Sequence, residues 1–414
     1  MFEQSRSHRG PVIRSQQGAG NARTRPPRQR RSMHAPHRPA AGEVTAMPFT
    51  PIALVSPGRG AQGRQRRHPN WRRTIMSTKQ ALSAVAVVVG IAVCAAPSAA
   101  AKGHPHAPAV SELASFAVPG CVGGCGSGST IGPDGALYVT DGKAGRVLRV
   151  DPPTGAVTTF ATGLPRSTPP GIGGAIDIAF VGHAAYVLAT LAGPGSVSGI
   201  YRIGRDGTGS PIADIGNWSV DHPPATPFSV ASGVQYALEP YHGGFAVTDG
   251  HLNRVLRVGR NGSISEIVAF GNVAPTGLAA LGPALFIGQA GPVPHRPDDG
   301  KVLVRTPWSS GAHEVASGAP LIVDVELGPG PGLYALSQGV WDLPNAPENA
   351  GKPASPNTGT LVRVGHRGTF TQVAGGLDRP TSVAFTGDAA YVVTLTGKIL
   401  KIDDVAPRHR RRLH

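Results

Sequence analysis

Cysteine is almost missing from this chain, with three residues in 414. A zinc site built from two Cys pairs is therefore excluded, because tetrahedral structural zinc needs four ligands. Charge is also scarce, at 15% of residues. No apolar run reaches the roughly 20 residues that a membrane-spanning helix needs. Gly-x-Ser-x-Gly elbows, zinc-binding His pairs and phosphate loops are lacking too, which removes the commonest hydrolase, metalloprotease and nucleotide signatures.

Acidic residues are missing from one part of the chain in particular. Residues 1–101 contain 16 Lys and Arg but only Glu3 and Glu43, so they carry almost all of the formal +15. Segment 102–407 holds 19 bases against 22 acids. The basic balance thus sits outside the foldable part, and a nucleic-acid partner is not expected. Residues 1–75 show no apolar periodicity and read as a disordered or untranslated basic extension. From Met76 the sequence MSTKQALSAVAVVVGIAVCAAPSAAA has Lys79, an apolar stretch to Ala96, and Ala99 and Ala101 at the small-residue places of a cleavage site. That is the pattern of a secretory signal peptide over 76–101, and it predicts a secreted bacterial protein with no span after cleavage.

After cleavage only Cys121 and Cys125 would remain, in GCVGGCG. An oxidising compartment favours a small local disulfide, with half of a metal site as the competitor. Cutting after Ala101 would also expose Lys102, Gly103 and His104. Their terminal amine, amide nitrogens and imidazole form a square-planar set suited to Cu(II) or Ni(II).

What is present is a repeat. LYVTDGKAGRVLRV at 137–150 returns as FAVTDGHLNRVLRV at 245–258. Each copy is an alternating strand, a turn opened by Asp-Gly and a second strand, which makes a β-hairpin. Its basic strand recurs six times, five with Arg and the last with Lys: VLRV at 147, IYRI at 200, VLRV at 255, VLVR at 302, LVRV at 361 and ILKI at 399. An apolar strand precedes each, another precedes that, and a fourth follows the first five. Four strands per repeat and six repeats predict an all-β, six-bladed β-propeller over 111–405, after a linker at 102–110 and before a basic tail at 406–414. The sixth repeat lacks its fourth strand. Residues 111–118 are expected to supply it and close the ring.

The GPDGALYVTD…RVLRV pattern resembles NHL-type propeller repeats, and the segment from about 105 to 405 resembles the ScyD/ScyE family of secreted bacterial proteins. The resemblance implies a propeller, named after a scytonemin pigment cluster, and no established reaction.

Turns between strands one and two and between three and four are short. The long insertions, 192–199, 289–300, 337–359 and the link 217–233, share the other face, which is the expected binding mouth. Aligning the innermost strands places Gly128, Asp177, Gln235, Gly277, Asp324 and Ser382 at one level of the axial channel. Asp177 and Asp324 lie across the axis, with Glu326 nearby. They are expected either as solvated carboxylates or as oxygen ligands of Ca or another divalent cation. Trp218 and Trp341 suit stacking on a sugar or aromatic ligand, or capping of blade ends.

Asp141 and Asp249 each precede an Arg by five residues, so turn bonding and an ion pair account for them. The regucalcin and gluconolactonase family places an Asp in a similar setting beside a divalent ion. That resemblance implies Asp249 as general base of a lactonase- or esterase-like hydrolase. His222, His242, His251 and His295 fall on or near predicted turns, where a quinone-cofactor dehydrogenase would want a base. The leading expectation is an exported, monomeric binding scaffold with no cofactor and a protein, small-molecule or glycan partner.

Overall fold

A blade strand packed on both sides must be apolar on both sides, and LYVTD at Leu137–Asp141 is buried at every position. Leu137 and Val139 join one cluster with Tyr391 and Val393 on one side. Tyr138 joins another with Ile178 and Val187 on the other side. The computed structural model describes residues 108–407, except 117–120, 122–123, 169–171, 228–229, 293–294, 297, 331, 345–348, 350–351 and 366. The basic extension, the signal segment, Lys102, Gly103, His104 and residues 408–414 lie outside the described residues.

Six four-stranded antiparallel sheets make the six blades of a propeller. Blade 1 is β2 (Ser129–Ile131), β3 (Leu137–Asp141), β4 (Arg146–Val150) and β5 (Val157–Ala161). Blade 2 is β6 (Gly174–Val181), β7 (Ala184–Thr190), β8 (Gly199–Ile203) and β9 (Gly209–Asp214). Helix α1 (Ile215–Asp221) then leads to blade 3, β10 (Gln235–Tyr241), β11 (Gly244–Asp249), β12 (Arg254–Val258) and β13 (Ile264–Ala269). Blade 4 is β14 (Pro275–Leu281), β15 (Ala284–Gln289), β16 (Gly300–Arg305) and β17 (His313–Ala319). Blade 5 is β18 (Ile322–Gly328), β19 (Gly332–Ser337), β20 (Gly359–Val364) and β21 (Phe370–Leu377). Blade 6 is β22 (Pro380–Thr386), β23 (Ala389–Thr394) and β24 (Lys398–Ile402), completed by β1 (Val110–Ser115). β1 pairs antiparallel with β24, from Val110 opposite Ile402 to Ser115 opposite Lys398. The ring therefore closes with a strand from the other end of the described chain, as the missing fourth strand required.

Apolar clusters fill all six junctions between adjacent blades. Each fully buried Val, Leu or Phe contributes about 1.5–3 kcal/mol. Small hydroxylated residues then tie the inner strands across the junctions. Thr140 Oγ1 donates to Ile176 O at 3.1 Å, Thr248 Oγ1 to Thr276 O at 2.7 Å and Thr276 Oγ1 to Ile322 O at 2.8 Å. Ser382 Oγ accepts from Ser129 N at 3.0 Å where blade 6 meets blade 1.

The repeated hairpins turn the same way. Gly145 and Asn253 occupy equivalent places before the Arg and both adopt left-handed backbone, with φ of 64° and 55°. Gly and Asn tolerate that conformation best. The long insertions fall between the second and third strands of blades 2, 4 and 5 and in the blade 2–3 link. Sequence periodicity did not foresee α1, which is capped by the Asp214 side chain accepting from Asn217 N.

Candidate functional site

A cavity of about 1410 Å³ occupies the propeller axis, walled by inner strands and by the long loops of one face. Ladder pairing fixes which inner-strand residues share a level. Ser129, Ile178, Leu238, Leu278, Val325 and Val383 face Val139, Val187, Val247, Ile287, Ala335 and Val392, and the residue before each forms the adjoining level. The expected alignment is right for Gly128, Asp177, Gly277, Asp324 and Ser382. It is two residues early for Gln235, whose place Ala237 takes.

The two glycines are spacers. A Cβ on Gly128 would lie 2.1 Å from Asp177 Oδ1, and one on Gly277 would lie 2.5 Å from Asp324 Cα. Gln235 does not reach the channel. It is fully buried between blades 2 and 3, its Oε1 accepting from Thr190 Oγ1 at 2.9 Å and its Nε2 donating to Ser232 O. A β-bulge just after Gln235 shifts the register, and period-2 counting carries no trace of a bulge.

Asp177 and Asp324 stand three blades apart, as expected, and each braces a junction. Asp177 Oδ2 accepts from Leu238 N at 2.7 Å and Oδ1 from Ile178 N at 2.8 Å. Asp324 repeats this with Val383 N at 2.8 Å and Val325 N at 2.9 Å. Glu239, which the alignment missed, does the same for blades 3 and 4 by accepting from Ala280 N at 3.1 Å. Glu326 accepts from Leu327 N. All four are screened from bulk solvent yet partly open to the cavity.

Burial pushes Asp324 up to about 7 and Glu239 up to about 8. Asp177 and Glu326 also rise well above the ordinary carboxylate range, through burial first and then the charges of their fellow acids. Among the described residues no three His, Cys, Asp or Glu side chains are grouped to hold one cation.

Asp249 sits at the end of β11 with no exposed surface. Its Oδ2 accepts from Arg254 Nε at 3.3 Å and from Ser219 Oγ at 3.3 Å. Arg254 also donates to His222 O and Ser219 Oγ, and its guanidinium lies 5.0 Å from the centre of the Trp218 ring. Burial raises Asp249 to about 6 against the opposing charge of Arg254. Asp249 thus anchors α1, and the cavity wall around it is formed by Gly250, His251 and Asn253. Asp141 shows the expected turn role, accepting from Ala144 N at 3.0 Å and Arg146 Nε at 2.9 Å.

Neither tryptophan offers an open face to the cavity. Trp218 stacks on His222, with centroids 4.2 Å apart and planes at 9°. Trp341 is 6% exposed, packs with Ala290, Leu321 and Ala354, and donates from Nε1 to Lys352 O at 3.1 Å. Cys121 and Cys125 form a disulfide. Cys125 N reaches Leu395 O and Gly124 O accepts from Lys143 N, which pins this loop between blades 6 and 1 beside the cavity.

The mouth collects groups that alignment by spacing passed over. Tyr236, His251 and His295 line the same cavity. The Tyr236 and His251 rings lie 6.3 Å apart, and His295 stands edge-on to Trp341 at 5.8 Å. Burial pulls both imidazoles below the usual histidine value, and the charge of His251 depresses His295 further. Burial, then the charge of Asp249, pushes the Tyr236 phenol upward. Two polar atoms of this wall, His295 Nδ1 and Thr226 Oγ1, are buried without a hydrogen-bond partner. Their sequence signal was weak: both lie in links whose length, rather than composition, marked them.

No protein-family model matches the chain, and no curated protein matches it. Among solved structures, it is similar to XC5397 of Xanthomonas campestris, described as a gluconolactonase, at 12% identity and a TM-score of 0.49 over 72% of this chain and 89% of that one. It is similar to a PQQ-bound aldose sugar dehydrogenase of Streptomyces coelicolor at 17% identity and 0.47, over 72% and 99%. It is also similar to virginiamycin B lyase of Staphylococcus aureus at 14% identity and 0.44, over 72% and 99%. Identities and scores this low carry no activity across.

Proposed function

We propose that this chain is an exported propeller of the ScyD/ScyE type that binds a small molecule in its axial cavity, entering through the long-loop face. The observation that carries this reading is the cavity itself, about 1410 Å³, walled by apolar side chains together with the channel acids and the polar groups of the long loops. Ligand sites have this composition, and function gathers on loops held by a rigid frame. The inner-strand acids are largely occupied as junction braces, so they set the polarity of the cavity without needing a ligand of their own. Among the described residues the channel offers these acids and no unpaired cation to a ligand, so an anion would find no counter-charge, and neutral or cationic ligands fit better.

A second reading, hydrolysis of an ester or lactone, is favoured by one observation, the imidazoles and unpaired polar atoms of the mouth. It replaces Asp249 as the base. The binding reading is tested by titrating the purified protein with Nile red, a neutral apolar dye. One saturable site per chain is expected, and no saturable fluorescence gain would sink the reading.

A further inference from the structure

We propose that the short-turn rim of blades 3 and 4, on the face away from the long loops, binds an acidic polysaccharide, with Trp308 stacking on a sugar ring and Arg257, Arg260 and Arg305 pairing with its carboxylates. This site is separate from the axial cavity and stands whether or not the cavity takes a ligand. Trp308 is 74% exposed in the turn between β16 and β17, whereas Trp218 and Trp341 have their rings covered. The turn that carries it is fixed. Ser309 Oγ accepts from Arg305 Nη1 at 2.9 Å and from Thr306 N at 3.2 Å. An indole held open to water by a bonded turn is preorganised to stack on a flat apolar face.

The charge around it has one sign. The turns that make this rim, 242–243, 259–263, 282–283 and 306–312, and the strand residues flanking them contain no Asp or Glu. Arg257 Nη2 donates to His242 O at 2.9 Å, which lays its guanidinium over the β10–β11 turn. Arg260 is exposed in the β12–β13 turn, where Asn261 Oδ1 accepts from Ser263 N at 3.2 Å. Tyr241 OH donates to Pro283 O at 3.0 Å and so ties the turns of the two blades together. Among the described residues none of these three Arg pairs with a carboxylate, while Arg149 and Lys401, at the place of Arg257 in blades 1 and 6, pair with Asp134 and Asp403 at 2.8 Å. Partner chemistry follows from the two features together. Guanidiniums without a counter-charge suit carboxylates, which they grip with two parallel hydrogen bonds. A stable protein interface wants about 800 Å² from each partner around an apolar centre, and the exposed large apolar side chains of this rim are Trp308 and Leu281. A nucleic acid wants a long basic track, and segment 102–407 holds 19 bases against 22 acids. A uronic-acid polymer offers a ring and a carboxylate in each unit, which matches one indole among a few Arg.

The test is calorimetric titration of the purified chain with polygalacturonate, beside dextran, poly-Glu and single-stranded oligo-dT, with Nile red binding measured on the same samples. Polygalacturonate should bind saturably at about 20 mM salt and more weakly at about 200 mM. Dextran lacks the charge and poly-Glu the ring, so both should bind at least about tenfold more weakly, as should oligo-dT. Trp308→Ala should lower polygalacturonate affinity about tenfold or more, and Arg257→Gln and Arg260→Gln about threefold or more each. These side chains are exposed, so the variants keep the fold, and Nile red affinity should match the wild type in all of them. The basic segments outside 102–407 are the same in every variant, so the losses report the rim. The proposal is overturned if polygalacturonate does not bind or if Trp308→Ala binds it as the wild type does. It is overturned equally if another probe binds as tightly, since poly-Glu would assign the rim to an acidic protein, oligo-dT to a nucleic acid and dextran to a neutral glycan.

Discussion

Glu239 shows at the scale of one residue how the channel acids divide their roles. Its Oε1 braces blade 4 through Ala280 N, and burial lifts its pKa to about 8 from an ordinary 4.5. A carboxyl whose folded pKa is raised contributes stability that is fully present below the unfolded value and is lost as pH climbs through the folded value. The protein is therefore predicted to weaken between about pH 5 and pH 9. Glu239→Gln keeps the acceptor and removes the titration. It should match the wild type in urea unfolding at pH 5 and unfold later than the wild type at pH 9, by roughly 0.5 M in midpoint. Water in the cavity reaches part of this side chain, so the gain falls short of what full burial would give. A variant weaker than the wild type at pH 9 would show that the ionised form is the one the fold favours.

At the scale of elements, α1 and the loop after it form one wall of the mouth, and a buried ion pair holds them. Arg254 links β12 to Asp249, Ser219 and His222 at once. Removing one partner of such a pair typically costs about 3–5 kcal/mol because the other charge stays buried. Arg254→Met should lower Tm by several degrees and increase hydrogen exchange over 215–222 more than over β22 and β23. Uniform destabilisation, with no preference for the helix, would contradict the anchoring role. Elements were also where sequence was most informative. The repeated TDG hairpin and the six strands bearing Arg or, in the last, Lys revealed the blades, and the absent sixth outer strand revealed β1. The same periodicity missed α1, whose seven residues sit in a link with no apolar stripe, and it misplaced Gln235 across a bulge. Asp177 and Asp324 were legible as opposed channel acids, but their bracing of the next blade depends on backbone amides, which no side-chain pattern records.

At the scale of the whole molecule, six blades meet through six apolar junctions, and β1 joins the last blade to a strand nearly three hundred residues away. That closed frame leaves an axial space whose walls are fixed while its rim varies in length from blade to blade. The mouth histidines were hard to read from the chain because His251 and His295 belong to different blades and only closure brings them to one cavity. Entry from the long-loop face is the central claim, and blocking each end separately tests it most directly. Asn272 is exposed at the mouth and lines the cavity, whereas Leu281 is exposed at 58% on the short-turn side. Nile red titration of Asn272→Trp and Leu281→Trp should show affinity falling about tenfold or more for the first and unchanged for the second. Equal affinity in both, or a loss confined to Leu281→Trp, would contradict binding through the long-loop mouth.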